Sequence, residues 1–284
     1  MPTPGKSMRT VLSALSVLLA VVLTAAAVPA LWAEKTLVDE SGFVRLLAPM
    51  GQDAEVVSAL GTSVAASALG SARIPAPLEP AAQRAAAALV EGLAEDEQFP
   101  AAWEATLRES HALNFGPDSA ALTGIALELR PLAGLVLDRL GEGVGADLGD
   151  APSVVVEAGS TVQRGALGFV QDAARLAGPL AAGAVLALVL GLLFARRRGA
   201  ALAWSGFGFI VVAALLGSAT VLAGPVASSE AGGGTAAGVF AGRAAALAAD
   251  SFLPWTLAVG IAGAVFLILG SVLAARRRRL MARR

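Results

Sequence analysis

Four long apolar runs divide the chain, and polar segments separate them. The runs cover residues 10–33, 176–195, 201–222 and 254–275. Each is close to the ~20 residues that an α-helix needs to cross the ~30 Å hydrocarbon core of a bilayer. The pattern therefore predicts four transmembrane helices. A hydrophobic content of 56% and a mean hydropathy of +0.71 also indicate a protein in contact with a lipid bilayer.

Basic residues are concentrated beside these runs, in segments that contain no acidic residue. The segments cover residues 1–9, 196–200 and 276–284, and they hold 11 of the 21 basic residues. Cytoplasmic flanks of membrane helices are enriched in Lys and Arg, so we predict that both termini and the 196–200 turn are cytoplasmic in a cell-membrane protein. The predicted topology-determining residues are Lys6, Arg9, Arg196, Arg197, Arg198, Arg276, Arg277, Arg278 and Arg279.

The other two polar segments hold all 22 acidic residues, and we expect both to be extracytoplasmic. Residues 34–175 contain 20 acidic and 9 basic residues, and their length suits one domain. Residues 223–253 form a smaller loop, with a helix expected over residues 236–249. This segregation of charge is expected for a membrane protein, because Lys and Arg residues beside membrane helices are retained on the cytoplasmic side.

Apolar residues recur at spacings of three and four through most of the larger segment, which predicts helices. Two short stretches differ, because residues 122–129 and residues 153–157 have the composition of strands. If the two stretches pair, the backbone N–H and C=O groups of each find hydrogen-bond partners in the other. The expected fold is therefore mainly α: four transmembrane helices and an extracytoplasmic helical domain with a short two-stranded β pairing.

The first apolar run has two interpretations. It is either an uncleaved anchor helix or a signal peptide cleaved after Val28-Pro29-Ala30, where small residues suit a cleavage site. The run is longer than the ~7–15-residue apolar core of a signal peptide. Trp32 also stands at its outer end, where an indole favours the membrane interface. Both observations favour the anchor.

Small residues form stripes at a spacing of four along the second and third runs. Such stripes allow helix backbones to approach closely, so the favoured interpretation is packing within a four-helix bundle. A homo-oligomer interface is the alternative. The predicted helix-packing residues are Gly183, Ala187, Gly191, Ala213 and Gly217.

Few residues suit catalysis or ligand binding, so we predict no catalytic residue, cofactor or metal site. The chain has no cysteine and no tyrosine, and its single histidine, His111, lies on the apolar side of a predicted helix. The four runs contain no charged residue, which argues against a proton-coupled transporter. Topology accounts for the arginine clusters, so no nucleic-acid partner is expected.

One glycine-rich acidic loop is the remaining candidate site, and a hydrated surface loop is its favoured interpretation. Its glycines at 141, 143 and 145 lack the spacing of a phosphate-binding loop. Its carboxylates Glu142, Asp147 and Asp150 lack the spacing of a calcium loop.

Several motifs resemble those of four-span actinobacterial integral membrane proteins of uncharacterised function. The motifs are WAEKTLVDESGFVRLLAP at 32–49, the helix start at 53–64 with Ala54 in place of a proline, FPAAWEATLRESH at 99–111, and the extended piece and proline-started helix at 127–135. The resemblance implies an uncleaved first helix and an outer domain, with Trp103 and His111 in the core of that domain. It implies no activity, so no functional residue follows from it.

Three function classes remain. The favoured class is an envelope interaction or scaffold protein whose outer domain contacts a protein or lipid. The second is a transport or channel subunit, which requires a polar cavity between the helices. The third is an outer-face membrane enzyme, which requires a pocket with clustered carboxylates of raised pKa.

Overall fold

The computed structural model describes residues 4–71, 79–117, 119, 125–145, 149–151, 153–158, 161–230 and 235–282. The helices of this described part are α1 (Pro4–Ala33), α2 (Glu40–Leu47), α3 (Ala54–Ser71), α4 (Glu79–Gly92), α5 (Phe99–Phe115), α6 (Arg130–Val144), α7 (Thr161–Arg175), α8 (Ala177–Phe194), α9 (Arg198–Glu230) and α10 (Ala236–Ala282). The strands are β1 (Ile125–Glu128) and β2 (Val155–Ala158). Short π- and 3-10-helical turns cover Glu34–Val38, Ala48–Gln52 and Leu93–Glu95.

The chain divides into two compact units. The membrane unit comprises Met1–Lys35, Val170–Leu222 and Ala249–Arg284, and the helical unit comprises Thr36–Phe169 and Ala223–Ala248. The helical unit carries 19 acidic and 8 basic residues, whereas the membrane unit carries 3 acidic and 13 basic residues. The division by packing therefore follows the segregation of charge along the sequence.

Four helical segments are long and apolar enough to cross a membrane. They are Met8–Val38, Ala177–Phe194, Arg198–Val221 and Ala236–Arg276. Together with the two-stranded sheet described below, they confirm the predicted mainly α, multi-pass membrane fold.

Three helices are longer than the apolar runs that predicted them, and α1 is one of these because it begins at Pro4. Helix α9 continues to Glu230, and α10 begins at Ala236 and passes through Pro254 without a break. An apolar run indicates where lipid contact ends, whereas a helix ends where its backbone hydrogen bonds end. An interior proline is tolerated in membrane helices because neighbouring groups can satisfy the freed carbonyl. Pro254 therefore marks no helix start.

Helix α1 packs closely on α8 and α9 within the membrane unit. The Ser13 hydroxyl donates a hydrogen bond to the Gly191 carbonyl oxygen at 2.7 Å. At the contact with α9, a Cβ built on Gly208 would lie 2.6 Å from Cγ2 of Val21. Small residues at both crossings thus let the helix backbones approach, as van der Waals packing in a bilayer requires.

Helices α2 to α6 enclose the apolar core of the helical unit. Its most deeply buried large side chains are Met50, Val56, Leu60, Val64, Leu107, Leu129, Leu132, Val136 and Leu140. Burial of each contributes roughly 1.5–3 kcal/mol relative to exposure. The start of α10 completes this core with Val239, Phe240 and Leu247. An ion pair of 2.9 Å between Arg243 Nε and Asp53 Oδ2 lies beside it.

Strands β1 and β2 form an antiparallel pair in the helical unit. Ile125 lies opposite Ala158, and Glu128 lies opposite Val155. The Leu129 N–H extends the ladder by donating to the Val154 carbonyl at 2.8 Å. The pairing predicted between residues 122–129 and 153–157 is confirmed over this shorter range.

Candidate functional sites

Trp103 and His111 attach helix α5 to the segment around α2. The Trp103 indole N–H donates to the Leu47 carbonyl at 3.4 Å. His111 Nε2 lies 2.9 Å from the Val38 carbonyl oxygen, and its ring stacks on Phe115 at a centroid distance of 4.6 Å. Both aromatic groups are buried and engaged with the protein itself. Their geometry is that of structural residues.

Side chains of α5 close one edge of the small sheet. Asn114 Nδ2 donates to the Ala126 carbonyl at 2.5 Å, and the Ala126 N–H donates to Asn114 Oδ1 at 3.0 Å. The Glu128 N–H donates to the Ser110 hydroxyl at 2.9 Å. The Asn114 amide thereby takes the place of a neighbouring strand along this edge of β1. Asn114 is the only asparagine in the chain, and no periodic pattern in the sequence predicts this role for it.

The Glu128 carboxylate is buried and joins three parts of the helical unit. Its Oε1 accepts hydrogen bonds from the Arg130 and Val154 N–H groups, both at 3.1 Å. Its Oε2 accepts one from the Ser153 hydroxyl at 2.8 Å. Hydrogen bonds to an ionised acceptor are stronger than those to a neutral one. Glu128 therefore fixes the end of β1 to the start of α6 and to the segment that enters β2.

Arg139 of α6 forms a two-point ion pair with Asp96, which lies just before α5. Its Nε lies 2.6 Å from Asp96 Oδ2, and its Nη2 lies 3.0 Å from Asp96 Oδ1. The hydrogen bonds from Arg139 and from the Gln98 N–H hold the pKa of Asp96 below its usual value. Arg139 also contacts Glu142 at 3.1 Å. A depressed carboxyl pKa favours the ionised form and is opposite to what a general acid needs.

The acidic loop does not form a cation site within the part of the chain that is described. The Glu142 carboxylate is paired with Arg139, Asp150 is exposed, and Asp147 lies outside the described residues. Among the described residues, no group of three or more His, Cys, Asp or Glu side chains could hold a metal ion. Gly145 ends α6 in the left-handed conformation, with φ of 66°, which is the usual role of glycine at this position.

The outer edge of β2 differs from the closed edge of β1. Val154 and Val156 face β1 in the ladder, so the backbone groups of Val155 and Glu157 point away from it. No second described strand pairs with this edge, because the sheet has the order β1-β2. The Val155 residue is 43% exposed. This backbone edge, which we call the open edge, therefore pairs with no other strand among the described residues.

The small residues predicted to pack helices differ in their surroundings. A Cβ on Gly183 would lie 3.3 Å from Leu23 Cδ1, and one on Gly191 would lie 2.9 Å from Val17 Cγ2, so these two α8 glycines face α1. Ala187 is buried on the same helix, and Ala213 Cβ lies 3.4 Å from the position a Cβ would take on Gly260. Nothing described lies within 4 Å of a Cβ on Gly217.

A second glycine pattern, which lies outside the predicted helix-packing residues, joins α9 to α10. A Cβ on Gly199 would lie 2.8 Å from the Gly270 carbonyl oxygen, and one on Gly263 would lie 2.8 Å from the Gly206 carbonyl oxygen. The contacting atoms are backbone atoms, so any side chain here would force the helices apart. These glycines recur at a spacing of seven, from 199 to 206 and from 263 to 270, whereas the predicted stripes of small residues have a spacing of four.

A crevice of about 1150 Å³ lies between α1 and α9 in the membrane unit. Val17, Leu18 and Phe207 contribute to its largely apolar walls. Arg196 and Arg197 line it at the turn between α8 and α9. It therefore combines an apolar interior with a basic end.

The other predicted topology-determining residues whose side chains are described do not line this crevice. The exposed ones are Arg9, Arg198, Arg276 and Arg279. The side chains of Lys6, Arg277 and Arg278 lie outside the described residues. The crevice thus brings together two of the six whose side chains are described.

Comparison with known proteins gives no relative: no family model, no curated protein and no solved structure matches the chain. The resemblance to four-span actinobacterial membrane proteins therefore stays a prediction. What the chain shows is a multi-pass, mainly α membrane protein that carries an acidic helical unit.

Proposed function

We propose that this protein is an interaction or scaffold protein of the cell envelope, anchored by four membrane helices and acting through its helical unit. In this proposal, the termini and the 196–200 turn are cytoplasmic and the helical unit is extracytoplasmic. The segregation of 19 acidic residues into the helical unit supports this orientation, since the positively charged flanks are retained inside.

The open edge of β2 is the observation that carries the proposal. An extended peptide can add to an exposed strand edge through main-chain hydrogen bonds, while side-chain pockets and charge select the partner. The partner that fits best is an extended protein segment rich in Lys or Arg, because the helical unit has a net charge of −11. The closed edge of β1 leaves β2 as the side on which addition would occur.

A transport or channel subunit is the second candidate, but that class requires a polar cavity between the helices, and the crevice of the membrane unit does not provide one. Its walls are mainly apolar, and α1 meets α9 at Val21 and Gly208. An outer-face enzyme gains no support either. The perturbed carboxyls Asp39 and Asp96 have lowered pKa values, with hydrogen bonds from Ser41 and from Arg139 respectively as the leading causes.

Photo-cross-linking in native membranes tests the proposal. A benzophenone amino acid at position 155 of the full chain is expected to capture a protein partner, whereas the same group at exposed position 104 on α5 is not. The Val155→Pro variant removes an N–H that points away from β1, so it blocks strand addition without removing a ladder bond. Val155→Thr keeps that N–H and the β-branched shape, and it serves as the matched control.

We expect Val155→Pro to reduce recovery of the cross-linked partner and Val155→Thr to retain it. Equal recovery from both variants would contradict strand addition. Capture of lipid alone at position 155, or of monomer alone, would contradict a protein partner at this edge.

A further inference from the structure

The crevice between α1 and α9 extends along both helices. The two helices are in contact at Val21 and Gly208, and the lining of the crevice continues from there to Thr10 and Arg197. Eleven residues separate Arg197 from Gly208, which corresponds to about 16 Å along a helix. This depth is roughly half of the ~30 Å hydrocarbon core. The crevice therefore extends over about one leaflet.

The chemistry of the lining changes along this depth. Toward the contact between the helices, the lining is provided by Val17, Val21 and Phe207. At the other end it includes the guanidinium-bearing residues Arg196 and Arg197. The lining residues include these two cationic side chains and no carboxylate. An occupant that complements both ends has an apolar tail and an anionic head.

We propose that this crevice is a binding site for one anionic phospholipid of the leaflet on the arginine side. Its acyl chain lies between α1 and α9, and its phosphate lies beside Arg197. Basic pockets between membrane helices are established sites for anionic lipid head groups. The cavity of about 1150 Å³ is also slightly above the ~300–1,000 Å³ range of ordinary ligand pockets, which suits a long-chain amphiphile.

Retention of arginines on the cytoplasmic side accounts for their position in the sequence but not for this crevice. Arg276 and Arg279 serve retention equally well, and neither lines it. The lipid site also concerns the membrane unit alone. It therefore stands or falls independently of the open edge of β2.

Trp204 provides a natural probe, because it lines the crevice and is 68% exposed. The full chain is reconstituted in phosphatidylcholine, and brominated phosphatidylglycerol or brominated phosphatidylcholine is titrated in as a contact quencher. The difference between the wild type and Trp204→Phe isolates the Trp204 signal from those of the other tryptophans. We expect saturable quenching at low mole fraction with the anionic lipid and a gradual increase with the zwitterionic lipid.

Two arginine variants separate the site from general surface charge. Arg197→Gln is expected to raise the mole fraction of phosphatidylglycerol at half-saturation about fivefold, as the loss of one cation near a membrane surface predicts. Arg276→Gln removes one exposed cation that does not line the crevice, and we expect little change.

Ala14→Phe fills the crevice and is expected to abolish the saturable component. If that variant does not fold, the two arginine variants still test whether the crevice binds the anionic lipid. Identical quenching curves for the two lipids, or equal shifts for both arginine variants, would overturn the proposal. Equally tight quenching by brominated oleate would overturn the assignment to a phospholipid.

Discussion

Replacement of Asn114 by alanine should release the closed edge of β1. The Asn114 side chain donates to the Ala126 carbonyl and accepts from the Ala126 N–H, and Ala126 is only 1% exposed. The Asn114→Ala variant therefore leaves one donor and one acceptor buried without these partners. Alanine cannot replace either hydrogen bond, and the site admits little solvent.

The cost follows from these two groups. Each buried polar group without a partner costs about 1–3 kcal/mol, so the pair should cost about 2–6 kcal/mol. Even the lower value corresponds to about a thirtyfold change in a local opening equilibrium. The loss should be confined to the sheet and the facing part of α5, because the apolar core of the helical unit does not include Asn114.

Hydrogen exchange measured by mass spectrometry on the full chain in lipid nanodiscs provides the assay. We expect the Ala126 amide to exchange at least about thirtyfold faster in Asn114→Ala. Thr62→Ala serves as the control, because Thr62 is exposed and its described hydrogen bond, to the Ser58 carbonyl, lies within its own helix. Unchanged protection of Ala126 in Asn114→Ala would refute the view that α5 closes this edge.

Two further predictions concern the ion pair and the glycine contact. The low pKa of Asp96 stabilises the folded state above the unfolded pKa of about 3.9, and this stabilisation is lost as pH falls through the lower folded pKa. The difference in thermal midpoint between wild type and Asp96→Asn, measured by circular dichroism, should therefore become smaller from pH 5 to pH 3. A difference that stays constant over this range would contradict the stabilising role of the low pKa of Asp96. Gly263→Ala should destabilise the detergent-solubilised protein by about 1–3 kcal/mol through overpacking against Gly206, whereas Gly217→Ala should not. Equal thermal midpoints for the two glycine variants would rule out the close contact.

The architecture of the membrane unit was predictable because lipid imposes a simple rule. Any segment that crosses it must be apolar over about 20 residues, and that requirement is visible in one sequence. The ends of α9 and α10 were not predictable in the same way, since both helices continue through polar residues outside the apolar runs. Hydropathy indicates which part of a helix contacts lipid, but it does not give the length of the helix.

The polar contacts of the helical unit were harder to predict, because they join residues that are distant in sequence. Glu128 interrupts an apolar stretch, which was a signal of extended structure, but its partners Ser153 and Val154 are 25 and 26 residues away. The two-stranded pairing itself was predictable from composition. The role of Asn114 was not, because a lone asparagine in a helix has no periodic pattern to reveal its partner.

The glycine contact between α9 and α10 is an intermediate case. Its spacing of seven is present in the sequence, yet only the structure shows that the two sets of glycines face each other. Arg196 and Arg197, which line the crevice, are also an intermediate case. Their charge predicts that they flank a membrane helix on the cytoplasmic side, whereas the crevice depends on how the helices pack in three dimensions.

Labelling of single cysteines in intact cells tests the central claim most directly, because the chain has no cysteine of its own. Ala94→Cys places a thiol on the exposed surface of the helical unit, and Arg279→Cys places one near the end of α10. A membrane-impermeant maleimide should label position 94 in intact cells and position 279 only after permeabilisation. Labelling of position 279 in intact cells, with position 94 protected, would contradict an extracytoplasmic helical unit.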